Sequence, residues 1–93
     1  MPKENEYHFD IPNYVTRIGY SSFKGRKNLA WVKIPLSVKY IDNCAFENCD
    51  NLKDIYYEGS KAEWKKIKID NFLGGNNKLV GLFGKVNIHY DCK

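Results

Sequence analysis

Residues Ile34-Pro35-Leu36-Ser37-Val38-Lys39-Tyr40-Ile41, IPLSVKYI, taken alone form an ordinary short extended stretch, but Ile11 to Ile18 reads IPNYVTRI, nearly the same phrase 23 residues earlier. Laying 11–33 over 34–56 matches Ile11 to Ile34, Pro12 to Pro35, Val15 to Val38, Ile18 to Ile41, Phe23 to Phe46, Asn28 to Asn51 and Leu29 to Leu52. The matched positions are apolar or turn-forming, while those between them change freely in charge and size. A fixed period in the twenties with that pattern predicts a solenoid whose repeated residues share one core.

Each unit divides into parts with separate physical reasons. Leu29 to Pro35, LAWVKIP, alternates Val32 and Ile34 against Trp31 and Lys33, a period of two that suits a half-buried strand ended by proline. VTRIG and VKYID predict shorter extended pieces on the far side of each coil. SSFKGRKN and CAFENCDN supply the connecting turns, with Phe23 and Phe46 stacked inward in successive coils. Asn28 and Asn51 recur just before the strand, where an amide suits unpaired backbone groups, and an asparagine ladder is expected there. Ser60 and Glu63 have the spacing of a capping box, so a short helix starts at Ser60 in SKAEWKKIKI, with Trp64 and Ile67 turned toward the last coil.

The full 93 residues suit one small domain with a thin core, about two-thirds of the unfolded surface being buried at this size. Aromatics reach 15%, enough apolar material to fold. The net charge of +4 is spread along the chain and points only weakly to an acidic partner or nucleic acid. No apolar run approaches the roughly 20 residues of a membrane helix. The opening MPKENEYHFD also lacks the apolar segment of a signal peptide. A cytoplasmic place is therefore expected for a complete chain, and a secreted or cell-surface place for the tail of a longer one. Three cysteines, Cys44, Cys49 and Cys92, form no disulfide framework, so reduced thiols are expected.

IPLSVKYIDNCAFENCDNLKDIYY, with its degraded copy upstream, resembles the BspA-type leucine-rich repeat, whose pattern runs roughly IPxSVxxIGxxAFxxCxxLxxVx. The tail agrees: YYEGSKAEWKKIKID (Tyr56 to Asp70) and VNIHY (Val86 to Tyr90) resemble the helix and closing strand that often end such arrays. The resemblance covers about residues 9–72 and 86–90. Departures are Arg26, where the family often has cysteine, and Asp42, where it often has glycine. Residues 71–84, NFLGGNNKLVGLFG, are more apolar than the usual link and carry four glycines, which predicts a loop or irregular hairpin whose Leu79, Val80, Leu82 and Phe83 either cover the bottom of the core, the commoner outcome for a short solenoid, or form an exposed apolar patch. The fold expected is mainly β with one short helix (α+β), a leucine-rich-repeat solenoid of about two coils. It comprises an N-terminal strand or edge (1–10), repeats at 11–33 and 34–56, and a C-terminal cap (57–93).

The resemblance implies a partner on the sheet surface. With Val32 and Ile34 inward, Trp31 and Lys33 face outward, in register with Asp54 and Tyr56 one coil later and His8 and Asp10 one coil earlier. An outward tryptophan beside a tyrosine among mixed charges has the composition of an interface hot spot. On that expectation, replacing Trp31 and Tyr56 together removes binding at little expense in stability. The competing expectation is that Trp31 is covered. A weaker basic patch combines Arg17, Lys24, Lys27, Lys39 and Tyr40, a type of surface that holds phosphates, though solvated charge is the commoner outcome.

Catalysis is not expected. His8 and His89 are distant in sequence from Cys44 and Cys49, the latter at the family's cysteine position and read as a small buried filler. Cys92 near His89 lacks further ligands at metal spacing, and LGG and GLFG fit no nucleotide fingerprint. Neither cofactor nor metal is expected. The leading expectation is a non-catalytic protein-binding module. The alternative is a small standalone intracellular inhibitor of an enzyme or nucleic-acid machine, of the kind mobile elements encode. A homodimer through the N-terminal edge is a further expectation, because YHFDI opens an uncapped coil.

Overall fold

The computed structural model describes residues 6–20, 22–42, 45–46, 49, 51–69 and 86–92. The chain alternates between two parallel sheets. One contains β1 (His8–Asp10), β3 (Trp31–Ile34), β5 (Asp54–Tyr57) and β7 (Asn87–His89), in that spatial order. The other contains β2 (Arg17–Ile18), β4 (Tyr40–Ile41) and β6 (Lys68–Ile69). A helix, α1 (Lys61–Lys65), lies between β5 and β6 in the chain. We call these the long-strand and short-strand sheets. Their inward residues, Val32, Ile34 and Ile55 from one and Ile18 and Ile41 from the other, meet in one core.

The 23-residue period becomes register. His8 pairs with Trp31 and Trp31 with Asp54, while Arg17 pairs with Tyr40 on the opposite sheet. The segment after Tyr57 closes the array by extending both sheets: β6 continues the short-strand sheet, with Tyr40 opposite Lys68, and β7 continues the long-strand sheet, with Asp54 opposite Asn87. The helix is shorter than SKAEWKKIKI: it stops at Lys65, and Lys68 and Ile69 pair as strand. Residues 71–84, expected to cover the core bottom, lie outside the described residues.

Repeated side chains do what their repetition implies. Phe23 and Phe46 stack in parallel with centroids 5.2 Å apart. Val38, Ile41, Phe46, Leu52 and Ile55 are fully buried. Cys49 is a buried filler that also ties coils together, its thiol donating to the Phe23 carbonyl at 3.0 Å. In the first coil that position is Arg26, whose Nη1 donates to the Tyr7 hydroxyl at 3.0 Å while its guanidinium lies over the Phe23 ring. The asparagine ladder does not form: Asn28 and Asn51 are exposed and make no hydrogen bond among the described residues. The backbone has no need of them, because Ala30, Lys53 and Asn87 N–H groups donate to the carbonyls of Tyr7, Ala30 and Lys53.

The turn into α1 explains YYEGS. A Cβ on Gly59 would come 2.6 Å from Leu36 Cδ2 and 2.7 Å from Tyr57 Cε2, so no larger residue fits without displacing core. The Ser60 hydroxyl accepts from Glu63 N–H, and Glu63 Oε1 accepts from Ser60 N–H at 2.9 Å, completing the capping box. Trp64 meets Tyr57 edge-on and Ile67 is buried, as expected for the inward side of this segment.

The Ser60 backbone and hydroxyl hold the Glu63 carboxyl below its ordinary value. A depressed folded pKa contributes stability that is present above the unfolded carboxylate pKa and lost as pH falls through the folded one. In an NMR titration the Ser60 amide shift is expected to stay constant through the ordinary glutamate range and to move only below it. A Glu63 side chain titrating at the ordinary value would contradict the cap.

Candidate functional site

Outward-facing residues of the long-strand sheet form two rows across the coils. One row is His8, Trp31, Asp54 and Asn87, and the other Asp10, Lys33, Tyr56 and His89. Side-chain contacts run both along the rows and between them. His8 stacks on Trp31 (4.0 Å, 3°), Trp31 meets Tyr56 edge-on (5.4 Å), and Tyr56 stacks on His89 (4.5 Å, 11°). His89 Nε2 lies 2.9 Å from Asp54 Oδ1, returning the chain of contacts to the first row. The surface is thus held in one arrangement by contacts between coils.

Trp31 corrects one expectation. It faces away from the core, yet only 3% of its surface is exposed, so it forms the floor of this face rather than a protruding contact. Period two fixes the direction of a side chain, but coverage depends on the sizes of its neighbours across the sheet, here His8 and Tyr56. Lys33, Asp54, Tyr56 and His8 are partly exposed, and Asp10 is exposed. His89 and Asn87 extend the rows and were missed, although VNIHY carries the same alternation. Beside the rows an open depression of about 410 Å³ is lined by Asp10, Asn13, Trp31, Lys33 and Glu58 among others.

Burial first, and the Asp54 carboxylate second, raise the Tyr56 phenol above its usual pKa, so at neutral pH it remains a neutral donor. Burial likewise raises the Cys92 thiol despite Lys33 nearby, the reverse of an activated nucleophile. Among the described residues no group of three metal-ligating side chains gathers. No helix among them is long and apolar enough to cross a membrane.

The weaker basic patch divides. Arg17, Tyr40 and Lys68 form an outward row on the short-strand sheet, the Arg17 guanidinium 4.6 Å and the Lys68 ammonium 6.0 Å from the Tyr40 ring centre. Tyr40 is thereby engaged with the protein's own cations rather than presented for base stacking. Arg17 also donates from Nε to both Asp42 carboxylate oxygens, and its Nη2 lies 2.9 Å from Oδ1. Asp42 is the residue standing where the family often has glycine, and its buried carboxylate faces this arginine from one coil earlier. Lys39 donates to the Leu36 carbonyl. Lys24 and Lys27 are exposed in the turn of the first coil. Sequence reasoning missed both Lys68 and Asp42 here.

The pairing gives a measurable expectation. A double-mutant cycle of Arg17→Ala and Asp42→Ala is expected to give a coupling of about 1 kcal/mol, above the exposed-pair median because the carboxylate is shielded and the contact multidentate. A coupling near zero in urea unfolding would show the pair to be incidental.

Stacked parallel strands at a 23-residue register, with an inward apolar ladder and a variable outward face, define a short leucine-rich-repeat solenoid. The family model described as a BspA type leucine rich repeat region (6 copies) matches residues 3–79. The chain belongs to that family. A leucine rich cell surface protein from Faecalibacterium prausnitzii A2-165, known from its crystal structure, is similar at 39% identity over 72% of this chain, with a TM-score of 0.66. The match spans 18% of that protein's chain. No curated protein matches.

Proposed function

We propose that the chain is a non-catalytic protein-binding module whose recognition surface is the outward face of the long-strand sheet. Lys33, Tyr56, Asp54 and His89 form the accessible centre, and Asp10 and His8 the side toward β1. The single observation that carries the reading is the run of ring contacts from His8 through Trp31 and Tyr56 to His89, closed by Asp54. Such contacts fix exposed side chains before a partner arrives and reduce the entropy lost on binding. They join residues that the repeat does not repeat, so they serve something other than the common core. The cell-surface description of the Faecalibacterium protein favours a role outside the cell, as part of a larger surface protein.

The test is affinity capture, from the medium or surface fraction of source cells, by wild type and two variants. Lys33→Glu with Tyr56→Ser alters the proposed face, and Lys68→Glu with Lys39→Glu alters the short-strand side. The reading expects a captured protein to be lost with the first variant and kept with the second. The opposite pattern would overturn it.

A further inference from the structure

We infer that the outward face of the short-strand sheet is a second interaction surface, which takes a linear polymer of phosphate groups that carries no bases. Alternation within the short strands turns Ile18, Ile41 and Ile69 toward the core and sets Arg17, Tyr40 and Lys68 in one outward row. The Lys68 N–H donates to the Lys39 carbonyl at 3.1 Å, which brings a second lysine alongside that row. Lys66 stands two residues before Lys68 and shares with Lys39 an open hollow of about 150 Å³, lined also by Val38, Tyr57, Glu63 and Ile67. Lys39, Lys66 and Lys68 are all exposed. A further coil stacked beyond β1 and β2 would lengthen this face without covering it.

The carboxylates described near this face are already engaged, Asp42 by Arg17 and Glu63 by the Ser60 amide and hydroxyl. Among the described residues Lys66 and Lys68 make no ion pair and no side-chain hydrogen bond, and the Lys39 ammonium donates to the Leu36 carbonyl. The long-strand face interleaves its signs instead, with Asp10 opposite Lys33 and Asp54 against His89. Positive charge on the short-strand side is therefore left without a counter-charge, and an anion bridging the lysines relieves their mutual repulsion. The side chains also select among anions. A carboxylate partner is best met by the arginine fork, but Asp42 occupies that of Arg17; the lysine ammoniums that remain are point charges suited to phosphate. Single-stranded nucleic acid needs aromatic faces for its bases, whereas the Tyr40 ring already has Arg17 and Lys68 over it at 4.6 and 6.0 Å. Lysines contributed by adjoining strands and by the turn after α1 suit a chain of phosphates rather than a single one.

Calorimetric titration of the 93-residue chain with long-chain inorganic polyphosphate at several salt concentrations tests the assignment. Protein capture through Lys33 and Tyr56 is a separate readout, so neither reading depends on the other. Saturable binding is expected, with log K falling against log salt at a slope of roughly −2 for about three neutralised phosphates. Lys39→Gln with Lys68→Gln should weaken binding at least about tenfold at fixed salt, with the circular dichroism spectrum unchanged. Lys27→Gln with Lys53→Gln removes as much charge from exposed positions ahead of β3 and β5 and should change affinity less than about twofold. Oligo(dT) and poly-L-glutamate of matched charge are expected to bind more weakly than polyphosphate. An absence of binding at about 50 mM salt would overturn the assignment, as would equal losses with the two double variants or a competitor that binds as tightly as polyphosphate.

Discussion

Replacing Phe46 with alanine is expected to remove about 3–5 kcal/mol of folding stability, the range for deleting a fully buried aromatic whose surroundings cannot collapse. The Phe46 ring is fully buried and stacks on Phe23 of the preceding coil. Its loss therefore leaves a cavity between coils and strips Phe23 of its stacking partner. A chain of 93 residues has about 5–15 kcal/mol in total, so the variant should be close to unfolded at 37 °C. Urea unfolding followed by tryptophan fluorescence measures the difference. A cost below about 1 kcal/mol would mean that the coils are not stacked through the phenylalanine column.

Trp31→Ala is expected to be nearly as costly, at about 3 kcal/mol, although the residue lies outside the core. Its surface is almost wholly covered, and its ring holds His8 on one side and Tyr56 on the other. Aromatic pairs of this kind contribute about 0.5–1.5 kcal/mol beyond their buried area. This burial is at odds with the expectation that Trp31 and Tyr56 can be replaced together at little expense in stability. Tyr56→Ser alone, at a partly exposed position, should cost less than Trp31→Ala. If unfolding midpoints showed Trp31→Ala to be silent, the tryptophan would be a free contact residue after all and the face would lack its floor.

The fold was legible because its signals are local and repeated. Ile34, Val38 and Ile41 were readable as core from their copies at Ile11, Val15 and Ile18, and the Ser60–Glu63 cap from its spacing. The period alone also places His8, Trp31 and Asp54 in one row. Features that depend on which neighbours meet across coils were less legible. Coverage of Trp31 required knowing that a histidine and a tyrosine meet it across the sheet. The role of Asp42 required Arg17 to face it from 25 residues away, a pairing that neither repeat unit contains by itself. His89 and Asn87 escaped because the spacing lengthens before β7: Asp54 to Asn87 is 33 residues, against 23 from Trp31 to Asp54, so the simple period no longer identifies the row.

The direct measurement of the central claim is amide hydrogen exchange on the chain with and without a protein captured through it. Recognition through the long-strand sheet predicts added protection in the segments containing β3, β5 and β7, with β2, β4 and β6 unchanged. Protection confined to Arg17–Ile18, Tyr40–Ile41 and Lys68–Ile69 would place the partner on the opposite sheet and contradict the account.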